Sequence, residues 1–190
     1  MKAQSIRKKV KPLSQKIGIF FGRFGSPNAY TCLTLVFGLL AAYSIAIGEI
    51  GGALVALVLS AFFDWVDGAV ARVQKKATKF GIVFDSIVDK ITETAIYLGF
   101  AWFAVSLYWP AVLALTTFLI SSFISKVAYE IQVNAQGGLA ERRERFVLLL
   151  IALLLIPFSL DLSGIVLYLM AVLSGVTAFQ RFLWIKKQAK

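Results

Sequence analysis

Long apolar stretches separated by short polar connections set the pattern of this chain. Six runs of roughly 16–25 mostly apolar residues can each form a helix that crosses a bilayer. They lie at about Tyr30–Ile47, Gly52–Val73, Gly81–Val105, Trp109–Ile131, Arg145–Leu160 and Ser163–Ile185. The expected fold is all-α, with six transmembrane helices over residues 25–190 and a basic juxtamembrane segment over residues 1–24. In Ser5–Phe21, Lys and Arg alternate with Ile6, Val10, Leu13, Ile17, Ile19, Phe20 and Phe21. That mixture suits an amphipathic helix lying in the membrane interface. Gly25-Ser26-Pro27-Asn28 then turns the chain into the first span.

Composition agrees with the pattern. The chain has 190 residues, 59% of them hydrophobic, with a mean hydropathy of +0.80. Soluble domains are nearer half apolar. The formal net charge of +10 does not indicate nucleic acid, because the basic residues fall in blocks beside apolar runs. Lys2 to Arg23, Arg72 to Lys79, Arg142 to Arg145 and Arg181 to Lys190 alternate with connections that carry only Glu49 and Asp161. Basic connections face the cytoplasm, so both termini are expected there, in a cell membrane whose anionic lipids the basic blocks contact. The single cysteine, Cys32, excludes an internal disulfide. The absence of histidine excludes imidazole bases and a Ser-His triad. The start, Met1 to Lys16, has no features of a cleavable signal peptide.

Four aspartates interrupt the apolar runs: Asp64, Asp67, Asp85 and Asp89. Each costs roughly 2.5–3.5 kcal/mol at the centre of a bilayer helix, on the order of 10 kcal/mol together, unless it faces a polar cavity. Asp64 and Asp67 are three apart, and Asp85 and Asp89 are four apart. Either spacing puts both carboxylates on one helix face. A hairpin centred near Lys76 brings Asp67 level with Asp85, and Asp64 level with Asp89 one turn deeper. Such a cluster must share protons or bind cations. Oxygen ligands without Cys or His suit Mg²⁺, Mn²⁺ or Ca²⁺, and two ions about 3.5–4 Å apart suit phosphoryl transfer. Gly68, Ala71 and Gly81 keep the flanking faces small and leave room for a substrate. Arg72 can clamp a phosphate with two donors. Ion pairing of the acids with Lys90 and Arg72 is the plainer structural explanation, and it does not require the matched depths or the glycines.

Asp64-x2-Asp67-Gly68-x2-Ala71-Arg72-x8-Gly81-x3-Asp85-x3-Asp89 resembles the signature of the CDP-alcohol phosphatidyltransferases at every fixed position. The resemblance implies a metal-dependent enzyme that moves a phosphatidyl-type group from a CDP-linked lipid to an alcohol and releases CMP. It implies a homodimer and a site open to the cytoplasm. It gives Asp64, Asp67, Asp85 and Asp89 to the metal, with Mg²⁺ or Mn²⁺ as the cofactor and two ions expected. Asp89 is the implied general base. Asp67, Gly68, Ala71, Arg72 and Gly81 shape the CDP site, together with Asn28 and Thr31 from a Pro-Asn-x-x-Thr stretch.

Gly137-Gly138-Leu-Ala-Glu141-Arg142-Arg143-Glu144-Arg145 resembles a stretch of the inositol-phosphate branch of that family. This implies inositol 1-phosphate as acceptor, its phosphate held by Arg142, Lys126 and Arg181. Lys126 beside Glu130 also has an ordinary reading, as a snorkelling or paired lysine. Ser125-Lys126-Val-Ala-Tyr129-Glu130-Ile-Gln132 lacks the arginines usual for the branch. Glycerol 3-phosphate is therefore the nearest rival acceptor, and a CDP-inositol donor is a further alternative. An ion transporter is the competing non-enzyme class, since buried carboxylates also mark ion paths. The inverted repeats and broken helices of transporters are not evident.

Overall fold

The computed structural model describes residues 14–74, 78–133 and 137–188, and among these all regular structure is helical. Helix α1 covers residues 14–21. It is followed by α2 (Pro27–Ala46), α3 (Ile50–Gln74), α4 (Lys79–Phe103), α5 (Val105–Glu130), α6 (Arg142–Leu155) and α7 (Leu160–Gln188). Ile6, Val10 and Leu13 of the expected amphipathic segment lie outside the described residues, as do Lys75 and Lys76.

Local chemistry sets the boundaries. Ser26 Oγ accepts the Ala29 amide at 3.4 Å. Pro27 takes the first helical position, where an amide hydrogen would have no partner. Gly48, at φ +81, ends α2 in a left-handed conformation that suits glycine. Ala104 is extended and separates α4 from α5 by a single residue. Ser159 Oγ accepts the Leu162 amide at 3.3 Å at the start of α7.

Helices α2, α3, α5 and α7 are long and apolar enough to cross a membrane. Two of the expected six spans differ. Helix α4 carries Lys79, Asp85, Asp89, Lys90 and Glu93, too many charges for a simple span. Helix α6 has 14 residues, roughly 21 Å of rise against about 30 Å of hydrocarbon. It begins at Arg142 rather than Arg145, because its first turn includes the charged residues. The long helices expose large apolar side chains, such as Tyr43 at 64%, Val55 at 61% and Phe179 at 63%. Surfaces of this kind belong in lipid, and the chain is a membrane protein.

The chain forms two compact units, Met1–Ala41 with Val55–Ala95 and Ala42–Leu54 with Ile96–Lys190. In the first, Tyr30, Val66 and Val70 form a core against Ile17, Phe21, Phe62 and Phe63. Helix α1 lies directly on α3, since a Cβ on Gly18 would come within 2.5 Å of the Ala69 carbonyl oxygen. Gln74 Nε2 donates to Gly22 O at 2.7 Å, and the Tyr30 hydroxyl donates to Phe21 O at 2.8 Å. Opposite this contact α1 exposes Ile19 and Phe20. The second unit packs Tyr97 and Phe100 with Phe118, Leu153, Leu167 and Met170 among its fully buried side chains. The Tyr97 hydroxyl donates to Met170 Sδ at 3.6 Å.

Candidate active site

Three helices of the first unit build the site. The Ser26 cap and Pro27 start α2 so that Asn28 and Thr31, three residues apart, share a face. The last third of α3 supplies Asp64, Asp67, Gly68 and Ala71. Helix α4 begins with a Thr78 cap, whose Oγ accepts the Gly81 amide at 2.9 Å. One turn later α4 presents Asp85.

One carboxylate oxygen from each of Asp64, Asp67 and Asp85 lies within 4.8 Å of the others. Oxygens on opposite sides of a Mg²⁺ or Mn²⁺ ion stand roughly 4 Å apart, and those around Ca²⁺ about 5 Å. The trio therefore fits a hard divalent cation in both donor type and spacing. Asp67 is buried, while Asp64 and Asp85 are half-buried. Carboxylates converging in this way require positive charge or shared protons between them. Asp89, half-buried one turn further along α4, is not a member of this close group.

Thr31 Oγ1 donates to Asp67 Oδ2 at 2.9 Å, and both side chains are buried. The same hydroxyl lies 3.2 Å from Pro27 O. The sequence pointed to Thr31 as a nucleotide contact. The structure also makes it the group that orients a carboxylate of the metal trio.

A cavity of about 100 Å³ opens beside the carboxylates, lined by Pro27, Asn28, Thr31, Asp67, Gly68, Ala71, Thr78, Gly81, Ile82 and Asp85. Most of the residues expected at the CDP site meet here. Pro27, Thr78 and Ile82 are additions that the sequence reading missed. Thr78, three residues before Gly81, carried a usable signal as a helix cap. A Cβ on Gly81 would stand 3.1 Å from Thr78 Oγ1 and 3.3 Å from Asn28 Oδ1. Glycine therefore keeps that wall open.

Arg72 is not in the cavity lining. Its NH2 donates to Ser14 Oγ at 3.0 Å. A Cβ on Gly68 would lie 3.2 Å from Arg72 NH1, so Gly68 gives space to the guanidinium as well as to the cavity.

The residues expected to hold an acceptor phosphate lie in the second unit. Lys126 and Arg142 are exposed, and Arg181 is buried. Arg181 Nε donates to Gly137 O, and its NH1 donates to Ser121 O and Ser121 Oγ, all at 3.0 Å. Arg181 thus ties the segment before α6 to α5. Arg142 opens the first turn of α6.

Known proteins resemble this chain in sequence and fold. Residues 24–177 match the CDP-alcohol phosphatidyltransferase family. Archaetidylinositol phosphate synthase of Pyrococcus horikoshii is 32% identical over 188 residues, covering 96% of both chains. Phosphatidylinositol phosphate synthase of Mycolicibacterium smegmatis is 31% identical over 148 residues, covering 71% of this chain and 65% of that one. The crystal structure of Mycobacterium tuberculosis phosphatidylinositol phosphate synthase with CDP-DAG bound superimposes with a TM-score of 0.82 at 25% identity. It covers 92% of this chain and 94% of that chain.

Proposed function

The chain belongs to the CDP-alcohol phosphatidyltransferase family, and from that premise we propose that it makes an inositol phosphate lipid, with inositol 1-phosphate as the acceptor. The observation that carries this reading is the carboxylate trio, two of whose members, Asp67 and Asp85, stand in the wall of the Asn28–Gly81 cavity. A phosphate-bearing substrate there meets a cation site and a small apolar-walled pocket together. The inositol-phosphate lipid synthases among the relatives support the choice of acceptor.

The acceptor hydroxyl attacks the phosphorus bonded to the diradylglycerol. The pyrophosphate P–O bond breaks and CMP leaves. Asp64, Asp67 and Asp85 would hold the divalent metal, and Asp89 would add a ligand where a second ion binds. A cation bound there supplies charge neutralisation of the pyrophosphate. Asp89 takes the proton of the attacking hydroxyl. Asn28, Thr31, Gly68, Ala71 and Gly81 position the CDP group, with Arg72 closing its phosphate side. Arg142, Lys126 and Arg181 recognise the acceptor's phosphate, which an uncharged alcohol would not require.

All six long apolar runs associate with the bilayer, α4 carrying its charges inward and α6 lengthened by its flanking turns. Helix α1 lies in the interface, with Ile19 and Phe20 in the headgroup layer. Both termini and the site face the cytoplasm, and two copies pair as a homodimer. The test is CMP release by the purified protein with CDP-diradylglycerol and Mg²⁺, comparing inositol 1-phosphate, glycerol 3-phosphate, serine and inositol. Release with inositol 1-phosphate is expected. Release with glycerol 3-phosphate alone would replace the acceptor.

A further inference from the structure

Helix α1 packs on the helix that carries half of the aspartate signature. Ser14, Ile17, Gly18 and Phe21 recur at helical spacing and form its inner face. Ile17 and Phe21 pack into the Tyr30–Val66–Val70 core, and the Phe21 ring meets those of Tyr30 and Phe62 edge-on at 5.8 Å. Gly18 is buried. A Cβ there would stand 2.5 Å from Ala69 O and 2.6 Å from Val73 Cγ2, so glycine lets the two helices come this close. Just past α1, Gly22 O accepts from Gln74 Nε2 at 2.7 Å. At the other end of α1, Ser14 Oγ accepts from Arg72 NH2 at 3.0 Å. The outer face, with Lys16, Ile19 and Phe20, is exposed.

Arg72 is exposed, and an exposed arginine samples many rotamers at a side-chain entropy of up to about 2 kcal/mol. Here its guanidinium is held from both edges. NH1 lies 3.2 Å from the Cβ position of Gly68, and Gly68 lines the cavity together with Asp67 and Ala71. NH2 is tied to Ser14 on α1. The guanidinium therefore stands over a wall residue of the cavity, one turn along α3 from Gly68. A helix that only anchors the chain at an interface needs apolar and basic residues. It does not need a hydroxyl at the one inner-face position that reaches Arg72. We propose that Ser14 is a positioning residue for the donor: it fixes the Arg72 guanidinium over Gly68, and so makes the interfacial helix α1 part of the CDP site. This rests on the reading above in which Arg72 closes the phosphate side of the CDP group.

Ser14→Ala removes the hydroxyl and leaves the Asp64–Asp67–Asp85 cluster and the Asn28–Gly81 cavity as they are. Equilibrium binding to the full-length protein with Mg²⁺ gives the Kd of each probe. For CDP-diradylglycerol it is expected to rise about 3- to 10-fold in Ser14→Ala, the scale of one hydrogen bond. CDP, which carries the pyrophosphate without the lipid, loses the same factor. Ser14→Thr keeps the hydroxyl and restores both. In an Arg72→Gln background, Ser14→Ala adds less than about 1.5-fold, because the two changes act through one group. The KM for inositol 1-phosphate in CMP release stays within about two-fold.

A loss for CDP-diradylglycerol without one for CDP would overturn the proposal, since Ser14 would then act on the seating of α1 in the membrane and not on Arg72. A full additional effect of Ser14→Ala in the Arg72→Gln background would overturn it as well. If Arg72→Gln weakens both probes and Ser14→Ala weakens neither, the positioning role alone falls. If Arg72→Gln leaves both unchanged, the phosphate reading of Arg72 falls, and this proposal with it. Gly18→Ala gives an independent route, because its methyl must lift α1 off the Ala69 carbonyl and draw Ser14 away from Arg72. The folded variant is expected to show the same loss for CDP, and unchanged CDP binding in it would contradict the proposal.

Discussion

Replacing Thr31 by valine should weaken metal binding without changing the shape of the cavity. Valine matches threonine in volume and branching, so the change removes one hydroxyl. That hydroxyl donates to Asp67 Oδ2 at 2.9 Å, between side chains only 3% and 6% exposed. A hydrogen bond to a charged group contributes about 1.5–3 kcal/mol. Groups that orient metal ligands typically change metal affinity by about 10–100-fold, or roughly 1.4–2.7 kcal/mol at about 1.4 kcal/mol per decade. The two ranges overlap, so the Mg²⁺ concentration for half-maximal CMP release should rise about 10–100-fold in Thr31→Val. Thr31→Ser keeps the donor and should stay within about three-fold of the parent. Binding of Mn²⁺ followed by electron paramagnetic resonance, without substrates, should shift in parallel. An unchanged Mg²⁺ midpoint in a folded Thr31→Val protein would refute the orienting role.

Other changes act on separate parts of the site. Asp89→Asn should lower turnover about 10²–10⁴-fold, the usual contribution of a general base, while Mn²⁺ binding to the Asp64–Asp67–Asp85 trio persists; near-parental turnover would remove Asp89 as the base. Gly81→Ala places a methyl 3.1–3.3 Å from Thr78 and Asn28. It should raise the KM for CDP-diradylglycerol about ten-fold, since a small displacement of a bound group has effects of that order, with the thermal midpoint little changed. Gly38→Ala would drive a methyl into the Thr92 side chain and should destabilise the fold by about 1–3 kcal/mol. Trimming Thr92 to alanine in the same protein should recover most of that loss in a thermal-unfolding assay.

The aspartates were legible because helix periodicity converts their spacing directly into geometry. Three and four residues fix a face, and the distance from Lys76 fixes a depth. Asp64, Asp67 and Asp85 accordingly meet, although they come from two helices. Thr78 was harder to see. Its role depends on where α4 begins, and helix ends are poorly marked by composition. The hydrogen bond from the Ala140 amide to Thr177 was not legible at all, because the two residues are 37 positions apart and only tertiary packing joins them. Helix α6 was placed three residues late because its first turn is charged, and hydropathy counts those residues against a span. The hydrogen bond from Arg72 to Ser14 was not legible either, because it depends on α1 packing across α3.

The most direct test is to identify the lipid product by ³¹P NMR after incubating the purified protein with CDP-diradylglycerol, Mg²⁺ and inositol 1-phosphate. The expected product partitions with lipid and carries two phosphorus environments, a phosphodiester to the glycerol backbone and the phosphomonoester brought by the acceptor. A lipid product without the phosphomonoester, or no product while CDP-diradylglycerol still binds in a Mg²⁺-dependent manner, would contradict transfer to an inositol phosphate.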